Sequence, residues 1–175
     1  MVRDMADETP RKAAAVVVGV DGSPESILAL QWAQTLAAAL GCTILAISAW
    51  HLETVYGPYP VSDWDGESEA QQLLDQALDE AFGADRPEGM VAEVRRGRPV
   101  QILLNLAQSA QMLILGSRGH GGFAGLLLGS VSSACAAHAQ CPVLVVHAAQ
   151  APGPAQAMAV QRSQGQDVDE PTGDA

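Results

Sequence analysis

Residues 116–132 read GSRGHGGFAGLLLGSVS, and this glycine-rich stretch decides how the chain around it can fold. It follows the apolar run Met112–Leu115 directly and leads into a helix-like segment that begins at Ser130. Glycines allow tight turns and close backbone approach, while the amides at a helix start attract anions. The context therefore predicts a phosphate-binding loop between a strand and a helix. The simpler interpretation is a flexible connection whose glycines serve turn geometry alone.

Apolar runs and helix-period segments alternate on both sides of this loop. Ser23 and Pro24 supply the N-cap and the first residue of a helix that Gly41 ends. The apolar runs that predict strands lie at 13–20, 43–49, 90–95, 112–115 and 142–147. Such alternation indicates parallel strands with right-handed crossovers. We therefore predict an α/β fold with a single doubly wound five-stranded parallel sheet, strand order 3-2-1-4-5, and helices on both faces.

This strand order places the glycine-rich loop next to the turn that follows the first strand. Ligands of doubly wound sheets bind beyond the carboxyl ends of the strands where the order reverses, here between the first and fourth strands. Asp21 ends the first strand at this crevice, where its carboxylate could accept a hydrogen bond from a ribose hydroxyl or a base edge. The alternative is an Asx-type turn residue that satisfies nearby amides. Arg118 is either a phosphate partner or an ordinary surface arginine.

The ends of the chain differ in composition from its middle. Residues 1–12 are mixed in charge and show no periodicity, so we expect a flexible N-terminal leader. Residues 148–175 are rich in Ala, Gly, Pro and acidic side chains, which cannot bury enough surface to offset their ordering entropy. We therefore expect one domain at 13–147 and a disordered acidic tail after it. Within the domain, the long connection 50–66 has a length that is usually functional or mobile.

Composition excludes several classes of function. A net charge of −11 argues against nucleic acid or an anionic membrane as a partner, because both need clustered Lys and Arg. Lys12 is the only lysine and precedes the first strand, which excludes a Walker A loop, a Schiff base and a lysine-dependent nucleophile. The three cysteines form no Cys-x-x-Cys pair, and neither a signal peptide nor a membrane span is evident. We expect a cytoplasmic protein.

Histidines and cysteines raise three further chemistries: hydrolysis, metal binding and redox exchange. The segment Gly119–Gly122, which contains His120, is similar to the oxyanion loop of α/β-hydrolases, but the chain has no G-x-S-x-G nucleophile elbow. The other histidines show no metal-ligand spacing, so we predict no metal site. Cys135 and Cys141 are more simply explained as small packing residues than as a redox pair.

The core 13–147 resembles a single-domain universal stress protein of the ATP-binding type. The family pattern is Gly, two residues, Gly, nine residues, and then Gly followed by Ser or Thr. Here Gly116, Gly119 and Gly129–Ser130 fill it without insertion or deletion. Two other segments also resemble their counterparts in the family. They are VGVDGS, at the end of the first strand, and the last strand, 142–147.

The resemblance implies an ATP site, with or without Mg²⁺. Carried onto this sequence, the residues that hold ribose and phosphates are Gly116, Gly119, Gly129, Ser130, Val131 through its backbone, and Ser132, with Arg118 beside them. Those that line the adenosine pocket are Gly19, Asp21, Ser48 and Leu115. Ser48 is polar where relatives often have an aliphatic residue, and Gln111 stands where the family commonly has an acidic one.

The resemblance also implies a homodimer joined through 142–147, in which nucleotide state regulates the dimer surface or partner binding. The function expected on this basis is that of a cytoplasmic ATP-binding stress-response protein. One alternative is a nucleotide-dependent hydrolase or transferase in which Asp21 positions a metal. The site offers no evident general base and no second carboxylate for a magnesium pair, so any ATP hydrolysis is expected to be slow. Another alternative is a dimeric interaction module that does not bind ATP.

Overall fold

The computed structural model of the chain describes residues 15–51, 65–119 and 127–148. Its strands are β1 Ala15–Gly19, β2 Thr43–Trp50, β3 Val91–Arg96, β4 Met112–Gly116 and β5 Val143–Val146. Its helices are α1 Pro24–Leu40, α2 Gly66–Phe82, α3 Pro99–Ala107 and α4 Ser130–His138. Within these described segments, no helix is both long and apolar enough to cross a membrane. The predicted leader, the tail beyond Ala148 and most of the connection 50–66 lie outside the described residues.

The five strands form one parallel sheet in the order β3-β2-β1-β4-β5. In register, Gly19 of β1 lies beside Ile47 of β2, and Val18 of β1 lies beside Ile114 of β4. The predicted doubly wound fold and its strand order are therefore confirmed. Because the order reverses after β1, the loops that follow β1 and β4 are neighbours at the carboxyl edge of the sheet.

Helices cover both faces of the sheet, and a separate apolar layer fills each side. On one face, α1 and α2 bury Leu30 and Leu74 against the sheet. On the other face, α3 and α4 bury Leu103 and Cys135. Successive side chains of a strand point to opposite faces, so a central strand must be apolar at every position to serve both layers. This requirement explains the continuous apolar runs in the sequence.

Side-chain caps fix where α1 and α2 begin. The Ser23 hydroxyl accepts a hydrogen bond from the Ser26 amide at 3.2 Å. The Asp65 carboxylate accepts one from the Ser68 amide at 3.1 Å. Because of this second cap, α2 begins at Gly66, about one turn before the apolar stripe that marks the helix in the sequence.

The two edge strands differ in polarity. β3 carries an ion pair between Glu93 and Arg95 with an N–O distance of 2.6 Å, and the Arg96 guanidinium lies 5.5 Å from the centroid of the Trp50 ring. Charged side chains of this kind protect a sheet edge from pairing with another chain. β5 reads VLVV and carries no charge. The apolar edge of the sheet is therefore the β5 edge.

Replacing Ser23 by Ala should lower the free energy of unfolding by about 1–2 kcal/mol, because the α1 cap and the bond to Asp21 are both lost. Urea unfolding followed by circular dichroism measures the change. Ser68→Ala is the matched control: Ser68 is exposed near the start of α2, and its backbone amide takes part in the cap. The control should stay within about 0.5 kcal/mol of wild type, and equal stability of the two variants would contradict the role given to Ser23.

Candidate functional site

Asp21 follows β1 and turns the chain into α1. Its Oδ1 atom accepts hydrogen bonds from the Ser23 amide at 3.1 Å and from the Ser23 hydroxyl at 2.6 Å. The same hydroxyl oxygen lies 3.4 Å from the carbonyl oxygen of Arg118 in the loop after β4. Asp21 therefore forms the Asx turn that the sequence left as an alternative, and one of its two carboxylate oxygens holds that turn.

The other oxygen of Asp21, Oδ2, lies against Gly119. A Cβ atom at Gly119 would overlap this oxygen, so the loop can approach the carboxylate only because residue 119 lacks a side chain. Gly119 itself is exposed. The loops after β1 and β4 are thus in direct contact at the surface of the crevice.

Gly116, the first glycine of the motif, faces α1. A Cβ atom there would lie 2.7 Å from the Glu25 Cβ atom and 3.1 Å from the Ser26 amide nitrogen. Both distances are shorter than ordinary van der Waals contacts, and part of the obstacle is backbone that cannot move aside. In this structure Gly116 therefore serves the close packing of β4 against the first turn of α1.

The helix α4 begins at the end of the glycine-rich stretch without a side-chain cap in the described structure. Its N-cap is Gly129, whose amide donates to the Ser117 carbonyl oxygen at 2.7 Å. The buried Ser132 hydroxyl donates to the same oxygen at 2.9 Å. Ser130, the first helical residue, is exposed. The first-turn amides of a helix have no partner within the helix, so these amides and the Ser130 hydroxyl form an environment suited to phosphate.

Gly129 differs from the two other motif glycines because the described part of the fold does not require a glycine there. A Cβ atom would lie 3.6 Å from the Ser117 carbonyl oxygen and 3.7 Å from the Ser132 hydroxyl oxygen, which are ordinary contacts. The backbone, with φ −76° and ψ 171°, is accessible to any residue. Packing among the described residues therefore does not account for a glycine here, and a residue without a side chain leaves its backbone accessible to close approach.

Arg118 lies at the site with its guanidinium already paired. Its Nη2 atom is 3.4 Å from Oε1 of Glu25, and the two side chains are 30% and 12% exposed, respectively. The pair joins the loop after β4 to the first turn of α1. A partly exposed pair of this kind contributes about 0–1 kcal/mol, and phosphate binds arginine through the same donors. An anion in the crevice could therefore compete with Glu25 for Arg118.

The remaining predicted residues lie on different faces of the sheet. Gly19 and Leu115 pack together on the α3–α4 face, where a Cβ atom at Gly19 would lie 2.6 Å from Cδ2 of Leu115. Ser48 is buried and follows Ile47, which belongs to the same layer as Leu115, so the Ser48 side chain points to the opposite face. Val131 packs its side chain on the α3–α4 layer. The structure does not bring the Ser48 and Leu115 side chains together.

Two residues of the site have roles that the sequence did not signal. Glu25 brings a further carboxylate to the crevice, where it is paired with Arg118, so the expectation that the site lacks a second carboxylate for a magnesium pair stays a prediction. An acidic residue in a first helical turn is common for dipole reasons alone and carries no such signal. Ser117 is fully buried, and its amide donates to the Val146 carbonyl oxygen at 2.7 Å. Its hydroxyl has no hydrogen-bond partner among the described residues. Through its backbone, Ser117 connects β4, the start of α4 and the end of β5.

Thiols and metal ligands add little to this site. Burial, and to a smaller extent the neighbouring Cys141 thiol, raises the pKa of Cys135, and burial raises the pKa of Cys141. Both thiols are therefore neutral at neutral pH and act as packing side chains. In residues 15–51, 65–119 and 127–148, no group of three or more His, Cys, Asp or Glu side chains could hold a metal ion. His120 lies outside the described residues.

The fold defines a class of protein: a doubly wound α/β domain with a crevice where the strand order reverses, the place at which such domains bind ligands. The model of the universal stress protein family matches residues 14–147. This chain belongs to the universal stress protein family, as its glycine pattern predicts.

Similar sequences include universal stress proteins of Mycobacterium tuberculosis. One is 38% identical over 145 residues, a match that covers 79% of this chain and 49% of the relative. Another is 39% identical over 159 residues, which covers 83% of this chain and 49% of the relative. The chain thus spans about half the length of the curated relatives it matches.

Solved structures of universal stress proteins share the fold. One in complex with cAMP is 29% identical with a TM-score of 0.58, and the match covers 78% of this chain and 98% of that one. UspA from Lactobacillus plantarum has a TM-score of 0.63 at 20% identity, with coverage of 77% and 98%. The Archaeoglobus fulgidus protein in complex with dAMP has a TM-score of 0.55 at 20% identity, again covering 77% and 98%. At their lower identity, the last two show the shared fold alone.

Replacement of Gly116 and of Gly129 by Ala should change the stability of the protein by different amounts. Gly116→Ala should lower the free energy of unfolding by about 1–3 kcal/mol, because its methyl group meets the first turn of α1. Gly129→Ala should be within about 0.5 kcal/mol of wild type or slightly more stable, because its methyl group makes ordinary contacts and restricts the unfolded chain. Urea unfolding without nucleotide measures both. Full stability of Gly116→Ala would disprove its packing role.

Proposed function

We propose that this chain binds an adenine nucleotide, ATP in particular, in the crevice between the loops after β1 and β4. The observation that carries the proposal is Gly129 at the start of α4. The described residues around this position would accept a Cβ atom in ordinary contact, 3.6 Å or more from its nearest neighbours, so their packing does not require a glycine. With glycine at this position, α4 lacks the side-chain cap that Ser, Thr, Asp or Asn would supply. A bound phosphate takes the place of that cap.

The phosphates are held mainly by neutral donors. The backbone amides of Ser130 and Val131 belong to the first turn of α4, and the exposed Ser130 hydroxyl stands beside them. Ser132 positions the helix, because its hydroxyl holds the loop carbonyl that precedes Arg118. Arg118 supplies a positive charge once phosphate displaces Glu25. These residues fit a triphosphate without any lysine.

The nucleoside end lies toward Asp21. One oxygen of this carboxylate is fixed by Ser23, which sets the orientation of the other as a candidate acceptor for a ribose hydroxyl. The related protein solved in complex with cAMP, which is 29% identical, supports an adenine nucleotide as the class of ligand. Mg²⁺ is usually held by one or two carboxylates together with phosphate oxygens. Asp21 and Glu25 therefore fit this ion only as a companion of the bound nucleotide.

The proposed function is that of a cytoplasmic stress-response homodimer joined through 142–147, whose nucleotide state regulates the dimer. A short backbone connection between the start of α4 and the end of β5 supports this regulation. The Gly129 amide donates to the Ser117 carbonyl oxygen, and the Ser117 amide donates to the Val146 carbonyl oxygen. A phosphate that shifts the start of α4 therefore acts on the end of β5 through one residue.

A nucleotide-dependent hydrolase or transferase is the second candidate, and Glu25 favours it by adding a carboxylate to the site. Both carboxylates are engaged, Asp21 by Ser23 and Glu25 by Arg118, so neither is an evident general base. Hydrolysis by such a site should be slow. The third candidate, an interaction module without ATP, keeps the fold and the dimer but leaves the space beside Gly129 unused.

Gly129→Ala should weaken ATP binding at least about tenfold, because its methyl group occupies the space through which the phosphate approaches the backbone. Ser130→Ala should weaken binding about fivefold, as expected for one neutral hydrogen bond. Isothermal titration calorimetry measures both. Ser133→Ala is the control, since Ser133 is exposed on α4 beyond its first turn and should bind ATP as wild type does. Unchanged binding by Gly129→Ala would refute the phosphate site.

Nucleotide released from the purified and then denatured protein separates the three candidates. ATP among the released molecules, and a higher Tm with added ATP, support the main proposal. Neither released nucleotide nor a shift in Tm would favour the interaction module. Multiple-turnover phosphate release that disappears in a folded Asp21→Ala variant would favour the enzyme.

A further inference from the structure

The backbone of Arg118 is held in place on both sides of the crevice. Toward α1, its carbonyl oxygen lies 3.4 Å from the Ser23 hydroxyl oxygen. Toward α4, the carbonyl oxygen of the preceding residue, Ser117, accepts hydrogen bonds from the Gly129 amide at 2.7 Å and from the Ser132 hydroxyl at 2.9 Å. The Arg118 side chain, by contrast, is 30% exposed. The guanidinium can therefore change its partner while the loop that carries it stays in place.

Glu25, the partner of that guanidinium, is more enclosed. It is the second residue of α1 and packs against β4, where a Cβ atom at Gly116 would lie 2.7 Å from the Glu25 Cβ atom. Its side chain is only 12% exposed, and its Oε1 atom lies 3.4 Å from Nη2 of Arg118. The partial positive charge at the start of a helix also favours a carboxylate at this position. Glu25 is therefore a fixed carboxylate that keeps its place beside Arg118.

A fixed carboxylate competes for Arg118 with any phosphate that enters the crevice. Both anions bind arginine through the same guanidinium donors. A tethered group acts at an effective concentration in the millimolar range or above, because it does not have to be brought in from solution. A phosphate that uses Arg118 must therefore break the pair with Glu25. For a partly exposed pair, this cost lowers the affinity of the phosphate by up to about fivefold.

The same cost has different consequences for a free phosphate and for a nucleotide. Inorganic phosphate makes only the contacts of a single small anion, so a loss of affinity removes most of its occupancy near its dissociation constant. The phosphate of a nucleotide is anchored by further contacts, at the start of α4 and toward Asp21 in the proposed site. A phosphate anchored in this way is itself a tethered competitor. It can therefore displace Glu25 and remain bound.

We propose that Glu25 is a specificity-determining residue of the nucleotide site, which acts as an internal competitor for Arg118. In the free protein it occupies the guanidinium and sets the concentration at which a phosphate can displace it. It thereby keeps inorganic phosphate away from Arg118 and admits a phosphate that the rest of a nucleotide holds in place. The inference rests on the proposed ATP site and gives Glu25 a role opposite to that of a ligand.

Glu25→Gln in the full chain tests this competition, because it removes the charge and keeps the size of the side chain. In calorimetric titrations without divalent cations, the variant should bind ATP about fivefold more tightly than wild type. Inorganic phosphate should also compete with ATP at an about fivefold lower concentration. Glu67→Gln is the matched control: Glu67 is the second residue of α2, as Glu25 is of α1, and it is exposed. Its dissociation constant for ATP should stay within about twofold of wild type.

A second variant, Arg118→Gln, tests whether Glu25 acts through Arg118. It should bind ATP about fivefold more weakly than wild type, because a charged donor is lost. In its background, Glu25→Gln should improve ATP binding by less than about twofold, since no pair remains to be broken. A carboxylate that merely repels phosphate would give the same gain in both backgrounds, and equal gains would overturn the inference. Circular dichroism without nucleotide confirms that each variant is folded.

The outcomes distinguish this inference from the proposed function. If the wild-type chain binds ATP and Glu25→Gln binds it equally well, the competitor role fails and the nucleotide site stands. Weaker binding by Glu25→Gln also overturns the inference, because Glu25 would then be a ligand of the nucleotide. A folded wild-type chain that binds no ATP would refute the proposed function and this inference with it. Tighter binding by Glu25→Gln that depends on Arg118 supports both.

Discussion

The close approach of β4 to the first turn of α1 is the constraint on which the rest of the site depends. It requires Gly116, because a Cβ atom there would meet the Glu25 Cβ atom at 2.7 Å. This approach sets the start of α1, and with it Ser23 and Asp21, beside the loop that continues from β4. Contact between Asp21 and Gly119 then closes the edge of the crevice. The motif glycines therefore have different physical roles: Gly116 and Gly119 allow close packing within the protein, whereas packing among the described residues does not require Gly129, the glycine that we assign to the proposed ligand.

The electrostatics of the site follow from the scarcity of positive charge in the chain. The arginine at the loop, Arg118, is neutralised by Glu25 in the structure, and Asp21 adds a further negative charge. A phosphate must therefore be attracted by backbone amides and hydroxyls at the start of α4, with Arg118 recruited from its ion pair. Among the described residues, both carboxylates at the crevice are engaged, Asp21 by Ser23 and Glu25 by Arg118, so the proposed site is suited to holding a nucleotide more than to cleaving it.

The surface is organised by the two edges of the sheet. β3 is protected by charged side chains, while β5 is apolar. The start of α4, where the proposed nucleotide site lies, and the end of β5 are linked by a single residue, Ser117, whose backbone bonds to Gly129 and to Val146. A proposed regulatory link between ligand and dimer thus needs no long-range pathway. A change in the position of the first turn of α4 is enough for the proposed link.

The sequence by itself determined the α/β class, the strand order, the caps of α1 and the family, because these depend on local periodicity, on capping residues and on a glycine spacing that folding leaves unchanged. It also placed Asp21 and the glycine-rich loop at one crevice, since the order of parallel strands fixes which loops are neighbours. Only the tertiary structure decided that Gly116 packs against α1, that Glu25 pairs with Arg118, and that the Ser48 and Leu115 side chains lie on opposite faces of the sheet. These facts depend on how a helix lies on a strand and on which face each side chain occupies, and neither is encoded in residue spacing along the chain.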